Sequence, residues 1–119
     1  MRRKLSDIGR FSDASFLILA SLASGPKHGY AMIEDIFEFS GTRLEAGSLY
    51  GAIPRLEEKG LVEPLPSEDR RRPYQITPTG IATLREQVAT LEQIASASKR
   101  RLTGLGGDIR ALGTTFISP

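Results

Sequence analysis

The stretch GSLYGAIPRLEEKGLVEPLPSEDRRRPYQITPTG, Gly47 to Gly80, decides the fold. It opens around Ala46-Gly47-Ser48 and carries Leu49, Ile53 and Leu56 at i, i+4 and i+7, one apolar face of a helix. It stops at Lys59-Gly60, where glycine takes the left-handed backbone that closes a helix. The polar face of this helix presents Ser48, Gly51 and Arg55. Pro54 lies inside it and offers no donor to the carbonyl four residues back, which predicts a bend or a short first segment. Leu61–Leu65 and Tyr74–Thr77 then read as two short strands around a polar tip, 66–73, that holds Arg70, Arg71 and Arg72 in succession. Pro64 in the first strand argues for an edge position. Thr77-Pro78 opens the last helix, with threonine as cap and proline in the first turn.

Working towards the N-terminus, Tyr30, Met32, Ile33, Ile36 and Phe37 face Glu34, Asp35 and Glu38 across an amphipathic helix of about three turns that stops near Ser40-Gly41. The segment 26–29 before it reads as a turn, with His28 as a structural hydrogen-bonding residue rather than a ligand or pH sensor. Ser12-Asp13 caps an earlier helix, Phe16, Leu17, Ile18, Leu19 and Leu22, ended by Gly25-Pro26. Its apolar residues occupy more than one face, so burial on several sides is expected.

Working towards the C-terminus, Ile81, Leu84, Val88, Leu91, Ala95, Ser98 and Leu102 follow alternating steps of three and four. A heptad seam on a late helix, with no further element to cover it, predicts a partner helix from a second copy of the chain. Phe16 and the seam residues Ile81, Leu84, Val88, Leu91, Ala95 and Leu102 are the expected dimer contacts. Gly104, Gly106, Gly107 and Gly113 mark the remainder as a flexible tail. The domain plan is thus a basic arm over 1–11, a folded unit over 12–77, a dimerisation helix over 78–102 and a tail over 103–119.

Composition narrows the chemistry. The 119 residues fit one domain, and 39% hydrophobic with 25% charged residues is a globular mixture. Cysteine is absent and histidine occurs once, which removes disulfides, thiolate nucleophiles and multi-histidine metal sites, so no cofactor, no metal and no enzyme activity is expected. The net charge of +2 is unevenly placed. Arg2, Arg3, Lys4 and Arg10 face only Asp7 in the arm, whereas nine acids from Glu34 to Asp69 face Arg43, Arg55 and Lys59, and the arginine triplet follows at once. The arm adds nonspecific phosphate contacts or stays unordered. No apolar run is long enough to span a bilayer, so a cytoplasmic protein with no membrane contact is expected.

Three short helices, a two-stranded hairpin and a long helix make the order of a winged helix-turn-helix followed by a dimerisation helix, a mainly α fold with a small β-hairpin wing. A lone basic triplet is ordinarily a solvated loop. On a hairpin tip that follows a recognition-type helix, it gains counterion-release energy on duplex DNA, and arginine can enter a narrow minor groove.

GPKHGYAMIEDI at Gly25–Ile36, GSLYGAIPRLEEKGLV at Gly47–Val62 and RRRPYQITPTG at Arg70–Gly80 together resemble the PadR-type transcriptional regulators. The resemblance implies a homodimeric repressor of a palindromic operator that a small effector releases. It implies that the GSLY helix is the recognition helix, with Tyr30 and Tyr50 near phosphates and the wing at the minor groove. Members often carry proline after the LY pair, where this chain has Gly51, and an ordinary helix former at Pro54. The absence of tryptophan removes the aromatic clamp with which some relatives stack planar drugs.

Residue reading and resemblance together give a DNA-contacting set of Tyr30, Gly47, Ser48, Tyr50, Gly51, Arg55, Arg70, Arg71, Arg72 and Tyr74. Arg55 is the candidate for base-edge readout, since arginine reaches guanine with two bonds; an ion pair with Glu58 is its structural alternative. Tyr50 has the alternative of a core tyrosine with a satisfied hydroxyl. A small hydrophobic effector is expected near Phe16, Val88 and Leu91. The rival from another class is a winged-helix docking or ligand-sensing module that does not bind DNA, supported by the acid-rich stretch.

Overall fold

The structure, a computed structural model, describes residues 13–68 and 70–112, with side chains to residue 105. The basic arm and the residues beyond 112 lie outside the described residues. Helix α1 spans Ala14–Leu22, strand β1 Lys27–His28, α2 Gly29–Ser40, α3 Ala46–Glu58, β2 Val62–Pro64, β3 Pro73–Ile76 and α4 Pro78–Leu112.

Each short helix begins and ends where its sequence offers a stop. The Asp13 carboxylate accepts from the Ser15 N–H at 2.9 Å and caps α1. The His28 ring Nδ1 accepts, at a long 3.4 Å, from the Ala31 N–H at the start of α2, the structural role expected of it. Gly41 closes α2 with φ 77°, its N–H donating to the Phe37 carbonyl at 2.8 Å. α3 runs unbroken through Pro54, so a short first segment does not occur. Pro54 is exposed, and its cost is one missing bond to the Tyr50 carbonyl.

Helices α1, α2 and α3 pack on one another around Leu17, Ile18, Leu22, Met32, Ile36, Leu49 and Ile53, all essentially inaccessible to water. At about 1.5–3 kcal/mol for each fully buried aliphatic side chain, this cluster is the main source of stability. α1 is buried on several sides, as its apolar run predicts. Its Ser21, fully buried, donates to Asp35 Oδ2 on α2 at 2.7 Å. Lys27 Nζ reaches the Ser21 carbonyl and the Ser24 hydroxyl, both at 2.6 Å, and stands 3.9 Å from Asp35.

Lys27 and His28 depart from the expected turn. They form a third strand, so the two-stranded hairpin is a three-stranded antiparallel sheet in the order β1-β3-β2. Lys27 opposes Tyr74 and His28 opposes Pro73; Val62, Glu63 and Pro64 oppose Ile76, Gln75 and Tyr74. A two-residue strand carries no alternation to read, and its partner lies far along the chain, as the register Lys27↔Tyr74 sets it. Pro64 is on an edge strand, where a missing N–H costs no ladder bond.

The second difference is the length of α4. It is helical to Leu112, beyond the end at Leu102 that the sequence suggests, so Thr103–Leu112 belongs to the helix and not to a tail. Gly104, Gly106 and Gly107 lower helix propensity by about 1 kcal/mol each and hide a spacing that continues by the same steps through Leu105, Ile109 and Leu112. The chain divides into two compact units, residues 1–85 and 86–119. The first holds the three-helix core, the sheet and the opening turns of α4; the second is the rest of α4 and the C-terminal residues.

Candidate nucleic-acid interface

On α3 the residues facing inward are Leu49, Ala52, Ile53 and Leu56. Their counterparts outward are Gly47, Ser48, Tyr50, Gly51 and Arg55, all exposed. Gly47, Gly51 and Arg55 stand at steps of four and share one strip of surface. A Cβ added at Gly47 or Gly51 meets nothing within 4 Å. Neither glycine has a positive φ, so nothing inside the protomer asks for either. Glycine within a helix costs about 0.5–1 kcal/mol relative to alanine, and here that cost has no return in folding. What the two glycines leave is a bare strip of backbone that a bulky partner can approach closely.

The first turn of α3 is uncapped by any side chain: its N-cap is Glu45, which makes no capping bond. Ser48 is an exposed residue of that first turn. Arg55 lies back along its own helix, Nη1 donating to the Gly51 carbonyl at 2.9 Å, so its guanidinium is turned to its own backbone rather than to Glu58. Tyr50 is 54% exposed and is not a core tyrosine, while its ring rests on Gly29 of α2. Tyr30, the second residue of α2, is 63% exposed.

The wing is held rigid at its base. The Leu65 N–H donates to the Pro73 carbonyl at 2.9 Å beyond the last strand pair, and Gln75 Nε2 donates to Glu63 Oε2 at 2.6 Å across the register. The tip carries Arg70, Arg71 and Arg72, all exposed, with the Ser67 hydroxyl donating to the Arg71 carbonyl at 3.1 Å. Tyr74, half-buried, joins wing and helix. Burial first, then the Glu57 carboxylate, raise its phenol above the ordinary value; Arg72 pulls the other way and Tyr50 adds to the rise. The phenol thus keeps its proton at neutral pH, with Glu57 and Tyr50 of α3 and Arg72 of the wing all near enough to act on it.

Of the residues expected at a dimer contact, Phe16 and Leu84 are half-buried against the protomer's own core. Leu91 is half-buried, whereas Ile81, Val88, Ala95 and Leu102 are exposed along α4. Sequence reasoning places Gly60 as a helix stop and Thr77 as a helix cap but passes over Gly29 and Gly80. The signal that marks these two is position: each is a glycine in the first turn of a helix. Among the described residues no cluster of histidines or acids could hold a metal ion, and no helix is long and apolar enough to cross a membrane.

A three-helix core, a three-stranded sheet whose hairpin projects an arginine tip, and a long C-terminal helix define a winged helix-turn-helix protein. The model of the PadR-like family of transcriptional regulators matches residues 18–86, and the chain belongs to that family. It is 37% identical over 84 residues to the transcriptional regulator Rv3488 of Mycobacterium tuberculosis, covering 66% of this chain and 75% of that one. It is 45% identical over 86 residues to a 37.1 kDa protein of transposon TN4556 from Streptomyces fradiae, across 72% of this chain. The chain spans only 25% of that transposon protein. The crystal structure of a PadR family regulator from Clostridium difficile superposes with a TM-score of 0.68 at 24% identity, over 75% of this chain and 97% of that one, and shares its fold. The family is one of transcription regulators.

Proposed function

We propose that the protein is a sequence-specific DNA-binding repressor that acts as a homodimer on a palindromic operator and is released by a small hydrophobic effector. The observation that carries this reading is the bare strip of α3, Gly47 and Gly51 in open space beside Tyr50 and Arg55 and ahead of an exposed arginine tip. A helix inserted into a major groove needs its backbone close to base edges and phosphates, and side-chain-free positions permit that approach. The uncapped first turn of α3 supplies backbone donors suited to a phosphate. Tyr30, Tyr50 and Tyr74 supply hydroxyl donors around it, and Arg70, Arg71 and Arg72 lie on the backbone or in the minor groove.

The seam of α4 supplies the dyad. Two copies joined along it present two recognition helices, and the operator mirrors their symmetry. An effector that binds the DNA-incompetent dimer better than the competent one shifts the population off DNA in proportion to that difference in affinity.

The test is binding of the purified protein to DNA upstream of its own coding region and to duplexes selected from random sequence, at several salt concentrations. Changing Arg70, Arg71 and Arg72 together to Ala serves as comparison. Binding is expected to weaken steeply with salt, and the triple variant to flatten the slope by about one for each phosphate that an arginine no longer neutralises. A selection that enriches nothing overturns the reading in favour of a protein-docking module.

A further inference from the structure

Gly60 and Leu61 stand between the recognition helix and the wing, and their donors are spent on ending α3. The Gly60 N–H donates to the Glu57 carbonyl and the Leu61 N–H to the Leu56 carbonyl, each at 2.9 Å, the paired bonds of a Schellman end. That end needs a left-handed residue, and Gly60 has φ 75°. The carbonyls of the same two residues are spent on starting α4. The Thr77 hydroxyl donates to the Gly60 carbonyl at 2.6 Å, and the Thr77 N–H donates to the Leu61 carbonyl at 3.0 Å.

Thr77 is in turn the cap of α4. Its hydroxyl oxygen accepts from the Gly80 N–H at 3.0 Å and its carbonyl from the Ile81 N–H at 2.8 Å. Gly80 lies against the Leu61 carbonyl so closely that no Cβ fits there. One hydroxyl therefore couples two helix termini: it receives a bond from the first turn of α4 and gives one to the residue that closes α3. A swivel of α4 against α3 at this point must break that bond or the Thr77–Leu61 backbone bond beside it.

We propose that Thr77 is a positioning residue that fixes the angle between α3 and the opening turns of α4, and thereby sets the half-site spacing that the dimer accepts. The inference rests on the DNA-reading dimer proposed above. In a twofold dimer joined through α4, the separation of the two recognition helices follows from how each is held on its own α4, so the stiffness of this joint decides how sharply one spacing is preferred.

The experiment measures binding of the full chain to duplexes that carry two copies of the selected half-site at the native spacing, at spacings one and two base pairs longer and shorter, and to a single half-site. Thr77→Val keeps the side chain's volume and removes both hydroxyl bonds. Thr77→Asp keeps an acceptor for the Gly80 N–H, preserving the cap, and has no donor for Gly60. Thr77→Ser keeps both bonds. Wild type and Thr77→Ser are expected to share one sharp spacing optimum. Thr77→Val and Thr77→Asp are expected to narrow the ratio between native and altered spacings by roughly three- to tenfold, the worth of one neutral hydrogen bond, with single half-site affinity and dimer assembly unchanged. An unaltered spacing ratio in Thr77→Asp, or an equal loss on the single half-site, overturns the joint and leaves the DNA reading intact. A wild type without any preferred site overturns the DNA reading itself.

Discussion

The phenol tip of Tyr50 on α3 occupies the space where Gly29, at the start of α2, would carry a side chain: a Cβ there would collide with the Tyr50 hydroxyl and stand 2.6 Å from Tyr50 Cζ and 2.9 Å from Leu49 Cδ2. Glycine at this point is what lets the two helices of the helix-turn-helix approach each other. The same contact orients a tyrosine that is otherwise half in solvent. Packing and candidate function meet in one side chain.

Gly29→Ala is expected to destabilise the fold by about 1–3 kcal/mol, the range for forcing one carbon into a filled site. The gain in helix propensity, up to about 1 kcal/mol, has the opposite sign and is the smaller effect. In a Tyr50→Ala background the cost of Gly29→Ala should shrink, because the nearer obstacle is gone. A double-mutant cycle in urea unfolding measures the coupling, and additive costs for the two changes would contradict it.

The other glycines separate into two kinds, and alanine tells them apart. At Gly80 the new Cβ would strike the Leu61 carbonyl and Ile76 Cγ1 at 2.7 Å. Backbone cannot rotate aside as a tyrosine can, so Gly80→Ala should lose more stability than Gly29→Ala. At Gly51 the space is open, and Gly51→Ala should gain about 0.5–1 kcal/mol. The same change adds a methyl to the strip proposed to enter the groove, so DNA affinity should fall while the melting temperature rises. A variant with unchanged affinity would place the DNA elsewhere.

The parts of this fold that can be read from sequence are those with a local cause. Leu49, Ile53 and Leu56 fix α3 by spacing alone, Thr77-Pro78 fixes the start of α4 by capping chemistry, and Pro64 marks an edge strand because proline lacks a donor. β1 is not legible, since Lys27 and His28 are a strand only through Tyr74 and Pro73, far along the chain. The end of α4 is obscured by three glycines whose low propensity outweighs a continuing apolar spacing. At the candidate site the residue types are legible and their directions are not. Arg55 bonds its own helix, and the closeness of Tyr50 to Gly29 depends on how α2 and α3 cross.

Tyr74 makes stability sensitive to high pH. Burial, aided by Glu57 and opposed by Arg72, lifts its folded pKa above 10.0. A raised pKa means that the folded state holds the proton more tightly than the unfolded chain. The stability this provides is fully present below about pH 10 and is lost as pH climbs through the folded value. Unfolding free energy should fall in that alkaline window, in step with the phenolate absorbance, and Tyr74→Phe should flatten the fall. A Tyr74→Phe variant with the same alkaline profile would assign the loss to other groups.

The length of α4 bears on the dimer. Leu102 and Leu105 are 61% and 49% exposed in the single protomer, and they continue the three-and-four spacing that begins at Ile81. If two copies pair along this stripe, a carboxylate at either position is buried unpaired against the partner helix, and the dimer loses the burial as well. Leu105→Glu should therefore raise the dimer dissociation constant about tenfold or more, matching Leu102→Glu, whereas a seam that stops at Leu102 would leave Leu105→Glu without effect. Gln93→Glu introduces the same charge on the opposite side of the helix and should leave assembly unchanged. Sedimentation equilibrium reads all three. Operator binding should follow the order of dimer stability, because two half-sites bound by separate protomers lose the advantage of a shared frame. Single half-site binding should stay level across the series.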